Sequence, residues 1–131
     1  MPKANSYQRV SVAVATTDGT QTVGATFDTS PWVDAAFQVT AHVTARETAD
    51  SDEIASYIRT AAFKRDGGTL SLVGSVATTF TAESTGAWDC TLDADGDNIR
   101  VLVTGAAATA VKWLTALDIQ VNDDAPYKAD N

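Results

Sequence analysis

The acidic segment that begins at Asp93 is the part of this chain that most resembles a metal site. Asp93, Asp95 and Asp97 alternate along it, and carboxylate oxygens of this kind suit Ca²⁺. An EF-hand loop starting there would need glycine at its sixth position and glutamate at its twelfth, where the chain has Asn98 and Thr104. A turn rich in Asp, Gly and Asn explains the same residues. We therefore predict a turn without metal and keep the three aspartates as the candidate calcium ligands.

The single histidine, His42, and the single cysteine, Cys90, are the other residues that could take part in catalysis. His42 lies on the polar side of an alternating stretch, and no nucleophile-elbow motif accompanies it. Cys90 alternates in line with Trp88 and Leu92, which predicts a buried and unreactive thiol. One cysteine allows no internal disulfide and no multi-cysteine zinc site. We therefore predict a protein that is not an enzyme and needs no cofactor.

Three tryptophans could form a platform on which sugars stack. Trp88 and Trp113, however, fall in line with the apolar positions of their segments, which predicts core packing for both. Trp32 follows Pro31 in a segment that reads as a loop. We therefore predict that Trp32 is exposed and serves as an anchor for a protein partner or a sugar.

The charge of the chain excludes two classes of partner. Nine Lys and Arg residues oppose seventeen Asp and Glu residues, which gives a formal net charge of −8. Nucleic-acid backbones and anionic membranes attract basic clusters, so we predict binding to neither. Salt bridges are the default role of the scattered basic residues. Arg59, Lys64 and Arg65 are close enough in sequence to predict one local basic edge.

The elements that must position these residues are predicted to be strands. Val and Thr, which are frequent here, favour strands, and apolar and polar residues alternate clearly over 10–14, 37–46, 99–103 and 111–121. The pair Asp18-Gly19 predicts a hairpin between the first two strands, because type I′ turns require positive φ.

One segment, residues 54–65, fits a helical period as well as a strand period. The Asp66-Gly67-Gly68 turn and the alternating segment after it favour a hairpin, so we predict a strand. In total about eight strands are predicted at spacings typical of a sandwich or barrel. The predicted class is all-β, a single antiparallel β-sandwich.

Several of these strand segments occur in an order that resembles a β-sandwich domain of tailed-bacteriophage virion proteins, such as tail-fibre, head-fibre and capsid decoration proteins. The segments are YIRTAAFKR at 57–65, FTAE at 80–83, AWDCTL at 87–92, IRVLVTG at 99–105 and VKW at 111–113. The resemblance implies a jelly-roll-like sandwich of about eight strands with a structural role in a virion. It implies no catalytic residue.

Together the pattern and the resemblance predict a domain at residues 8–121, a flexible N-terminal arm at 1–7 and an acidic C-terminal tail at 122–131. The predicted function is a capsid decoration (cement) protein. It would be made in the host cytoplasm, bind the major capsid protein on the capsid surface, and form a homo-oligomer, which we expect to be a trimer. The alternative is a tail-fibre or spike module that recognises a host surface glycan. The candidate partner-binding residues are Pro2, Lys3, Tyr7 and Trp32.

Overall fold

The computed structural model describes residues 6–49 and 53–123. Within these ranges the chain forms eight strands and no helix, so no helix there could span a membrane. The strands are β1 (Tyr7–Thr16), β2 (Thr22–Asp28), β3 (Ala35–Glu47), β4 (Ile54–Asp66), β5 (Thr69–Glu83), β6 (Asp89–Asp95), β7 (Asn98–Thr104) and β8 (Val111–Asp123). The predicted all-β class is confirmed, and the ambiguous segment at 54–65 is a strand.

Two antiparallel sheets form the sandwich. The large sheet has the order β1-β8-β3-β4-β5, and the small sheet has the order β2-β7-β6. The pairing of β1 with β8 and of β2 with β7 nests one pair of strands outside the other, as in a jelly roll. Consecutive strands β3, β4 and β5 form a meander, and β8 returns beside β3 in the manner of a Greek key.

The core lies between the sheets and follows the predicted alternation. On β8 every second residue from Val111 to Val121 is buried, and β3 and β4 show the same period. The largest fully buried side chains are Trp113, Tyr57, Phe37, Phe63, Ile99, Leu117 and Ile119. The valines of β1 are only partly buried, because β1 is an edge strand of the large sheet.

The hairpin predicted at Asp18-Gly19 is wrong. β1 pairs with β8 in the large sheet and β2 pairs with β7 in the small sheet, so the connection crosses between sheets. Gly19 does not have the positive φ of a type I′ turn. Instead, the Asp18 carboxylate accepts a hydrogen bond of 2.9 Å from the backbone N–H of Thr20. An Asx turn of this kind reverses the chain without pairing the flanking strands.

Two other glycine turns are hairpins. Gly67 and Gly68, both with positive φ, connect β4 to β5 as predicted. Asp95 pairs with Asn98, so the strands continue further than predicted and only Gly96 and Asp97 remain as the turn.

The described ends of the domain extend slightly beyond the predicted limits of 8 and 121. β1 begins at Tyr7, which pairs with Gln120, and β8 continues to Asp123. Residues 1–5 of the predicted arm and residues 124–131 of the predicted tail lie outside the described residues.

Arg59 points into the sandwich and connects three strands. Its Nε donates to the carbonyl of Cys90 at 2.8 Å, and its Nη1 donates to the carbonyl of Phe80 at 2.8 Å. Its guanidinium also lies 4.8 Å from the ring centre of Tyr57. These bonds join β4 to β5 in its own sheet and to β6 in the opposite sheet.

Arg65 joins the turns at one end of the sandwich. Its Nη1 donates to Asp97 at 2.8 Å and to Thr29 at 3.0 Å, and its Nη2 donates to the carbonyl of Gly68. The basic edge predicted from residues 59, 64 and 65 is therefore wrong. Alternation buries Arg59 and Arg65 and leaves only Lys64 exposed.

Replacing Trp113 with alanine should lower the free energy of unfolding by about 3–5 kcal/mol. Trp113 is 1% exposed, it packs against Tyr57 and Trp88, and its indole N–H donates to Thr16 at 3.0 Å. Val33→Ala, in a loop and 63% exposed, is the control and should cost less than about 1 kcal/mol. Urea titrations followed by circular dichroism measure both, and equal losses would mean that the strand phase is wrong.

Candidate interaction surface

The outer face of the large sheet contains two adjacent rows of side chains without formal charge at pH 7. Alternate residues of each strand point away from the core, and the strand register aligns them across all five strands. Across the sheet the strands lie in the order β1-β8-β3-β4-β5. In this order, one row is Ser11, Ala116, His42, Ile58 and Phe80, and the next is Ala13, Leu114, Thr44, Ser56 and Ala82. We call these ten residues the neutral face.

Apolar side chains are exposed on the neutral face. Leu114 on β8 is 54% exposed, and Phe80 on the edge strand β5 is 46% exposed. Two adjoining grooves run over this region and share Thr44, Ser56 and Leu114. Exposed apolar side chains grouped on one face with a polar boundary are typical of an interaction surface.

Charged residues border the neutral face on both sides. On one side Arg9 donates from Nε and Nη2 to the two carboxylate oxygens of Asp118, at 2.7 and 3.0 Å. These hydrogen bonds raise the pKa of Arg9. On the other side Lys112 and Arg46 are paired neighbours on β8 and β3. A neutral centre with a charged rim is the usual composition of a protein interface.

The outer face of the small sheet has the opposite character. Asp28, Asp89, Asp93 and Asp95 point outward there, with Arg100 as the basic residue among them. The outward strand positions of the large sheet carry more basic than acidic residues; they are Arg9, Arg46, Lys64, Lys112, Asp66 and Asp118. Among the outward strand positions of the described residues, the acidic excess therefore lies on the small sheet, away from the neutral face.

The candidate calcium ligands are held by arginines in two different places. Asp93 accepts hydrogen bonds from Arg100 at 2.9 and 2.7 Å, and Asp95 lies 3.4 Å from the same guanidinium. Asp97 instead contacts Arg65. The described residues contain no group of three or more His, Cys, Asp or Glu side chains arranged to hold a metal ion. The alternation that suggested a ligand set reflects one arginine-paired strand face and one turn.

The predicted exposure of Trp32 is wrong. Trp32 is 4% exposed, and its ring centre lies 5.7 Å from those of Phe27 and Phe37. Its backbone N–H donates to the carbonyl of Thr29, so the loop folds back and places the indole over the end of the core. The ring N–H has no hydrogen-bond partner there. Trp32 is a core residue and cannot anchor a partner.

Tyr7 is the one candidate partner-binding residue that the structure leaves accessible. It is 72% exposed at the start of β1, on the outer side of the large sheet but outside the neutral face. Pro2 and Lys3 lie outside the described residues. Trp88 and Trp113 are buried as predicted, so all three tryptophans of the chain are in the core.

His42 and Cys90 occupy the predicted positions. The His42 side chain is 48% exposed, and its Nε2 lies 3.6 Å from an oxygen of Asp118, which Arg9 already binds. Cys90 is 2% exposed, and burial raises the pKa of its thiol to about 12. Burial, followed by the hydrogen bond that its hydroxyl donates to Glu83, also raises the pKa of Tyr57.

The comparisons with known proteins detect a shared fold. No protein-family model matches the chain, and no curated protein sequence matches it either. The tailspike protein of Acinetobacter baumannii phage AM24 superposes with a TM-score of 0.54 at 7% identity. The match covers 89% of this chain and 26% of the tailspike. The tailspike of Acinetobacter phage vB_ApiP_P1 gives a TM-score of 0.35 at 12% identity, over 90% of this chain and 21% of that one.

The chain shares the fold of part of a phage tailspike. It spans about a quarter of the AM24 tailspike's length, so the match concerns one domain-sized portion of that protein. The sequence resemblance to virion β-sandwich domains and this shared fold agree on the same architecture.

Chelation should leave the melting temperature unchanged. The oxygens of Asp93 and Asp97 already accept hydrogen bonds from guanidinium groups, so a divalent ion has no ready ligand set to stabilise. Melting curves with EDTA, and with added Ca²⁺, measure this. A melting temperature that falls with EDTA and returns with Ca²⁺ would reassign Asp93, Asp95 and Asp97 as ligands.

Cys90 should resist iodoacetamide in the folded protein at about pH 8. With a pKa of about 12, roughly one thiol in ten thousand is ionised, against roughly one in four in the unfolded chain. Alkylation followed by mass spectrometry should therefore be slow in buffer and fast in denaturant. Similar rates in both conditions would contradict the burial of Cys90.

Proposed function

We propose that this chain is a non-enzymatic structural module of a phage tail fibre or tailspike. The observation that carries the proposal is the shared fold with part of the AM24 tailspike over 89% of the chain. The order of strand segments that resembles virion β-sandwich domains points to the same class. The neutral face gives such a module a surface through which it can join an assembly.

The sharing of fold supports the tail-fibre or spike alternative better than capsid decoration. Binding of the major capsid protein, and a place on the capsid surface, stay predictions. Recognition of a host glycan requires exposed aromatic rings on which sugars can stack. Among the described residues Tyr7 and Phe80 are exposed aromatics, but they lie on the opposite edge strands β1 and β5. We therefore favour a structural role over glycan binding for this domain.

The absence of enzymatic activity is part of the proposal. Catalysis by a Ser-His-Asp arrangement requires the histidine to accept a proton from a hydroxyl that it contacts. In the described residues His42 has Asp118 as its charged neighbour and no hydroxyl hydrogen-bonded to its ring. The thiol of Cys90, the other residue considered for catalysis, is buried with a raised pKa. These features support a binding surface rather than a reaction centre.

Fractionation of virions tests the assignment to tails. Particles would be separated into DNA-filled heads and detached tails, and this chain quantified in each by mass spectrometry, with the major capsid protein as the marker for heads. We expect the chain in the tail fraction. Recovery with heads alone would contradict the proposal and favour the capsid decoration role.

A further inference from the structure

We propose that two copies of this chain pair through their neutral faces, about a two-fold axis that runs across the strands between the two rows. The neutral face has ten adjacent outward positions without formal charge in a protein whose net charge is −8. Depletion of charge at the centre of a surface marks the core of an interface. This inference does not depend on the proposed virion role.

The size of the outer face matches a stable interface. Five strands spaced about 4.8 Å apart, with the longer ones of 13 to 15 residues, cover roughly 800–1,000 Å². A standard protein interface buries about 800 Å² per partner. The outer face of the small sheet, with three strands of seven residues, is much smaller.

The two-fold operation makes the neutral face complementary to itself. It reverses the strand direction and places each strand opposite its own equivalent, so that each row faces the other row of the second copy. Leu114 then faces the partner's Ala116, and Ile58 faces the partner's Ser56. Packed sheets cross at about 30°. These positions on β8 and β4 lie next to the central strand β3, so this rotation displaces them less than positions on the edge strands.

The same operation matches the charged rims. The row with Asp118 faces the row with Lys112, and both residues lie on β8, so each Lys112 lies opposite the partner's Asp118, which is 7% exposed and whose carboxylate also accepts two hydrogen bonds from Arg9. The acidic outer faces of the two small sheets point away from each other. Complementary charges at the rim favour this pairing over other orientations of the same faces.

Self-complementarity identifies the occupant as a second copy of this chain. Large residues of one row lie opposite small residues of the other row in the second copy. The surface of an unrelated partner would not be expected to match this arrangement. A face that pairs with itself closes at two copies. The geometry of the neutral face therefore favours a dimer over the predicted trimer.

Sedimentation equilibrium of the full chain tests the pairing. The wild type should dimerise with a dissociation constant below about 1 mM. Leu114→Asp should weaken dimerisation at least tenfold, because it places a charge at the centre of the interface. Val33→Asp is the matched control, since Val33 is 63% exposed in a loop outside the neutral face. Ala116→Arg provides a second variant if Leu114→Asp fails to fold by circular dichroism.

A charge reversal tests the orientation. Lys112→Glu would place a carboxylate opposite the partner's Asp118 and should raise the dissociation constant about tenfold at low salt. Lys64→Glu makes the same change on the same sheet, outside the pairing, and should change it less than about threefold. A monomeric wild type at about 1 mM, or dimers that persist in both Leu114→Asp and Ala116→Arg, would overturn the proposal. Equal effects of the two reversals would overturn the two-fold arrangement.

Discussion

The burial of the inward side chains of β3, β4 and β8 is the interaction on which the rest of the structure depends. Because side chains alternate along a strand, fixing Trp113 and Tyr57 in the core also fixes Leu114 and Ile58 on the outside. A shift of one residue would exchange the two faces of a strand, so a strongly apolar core specifies the register. The neutral face is thus a consequence of how the core packs.

Two buried arginines complete the contact between the sheets. Both lie on the inward side of β4, and each reaches backbone carbonyls or a carboxylate in another element: Arg59 near β6, and Arg65 at the turn beside Asp97. An unpaired buried charge is costly, and the Nη1 atoms of both guanidinium groups have acceptors, whereas the Nε of Arg65 has no hydrogen-bond partner. The two arginines therefore hold the two sheets in one relative position.

The surface chemistry follows from the same arrangement. One sheet presents its outer side with little charge at the centre, and the other presents aspartates around Arg100. The two sides of the sandwich therefore differ in what they can contact. The chain shares its fold with part of a phage tailspike, and a β-sandwich presents one broad sheet face on each side.

The alternation of residues along the chain determined the class of fold, the strand phases and the burial of Trp88, Trp113 and Cys90, because side-chain direction in a strand is a local property. Only the tertiary structure decided what depends on strands distant in sequence. It placed β2 in the other sheet from β1, folded Trp32 onto Phe27 and Phe37, and directed carboxylates toward arginines. The neutral face is of the second kind, since pairings between remote strands align its residues, and local sequence does not encode that register.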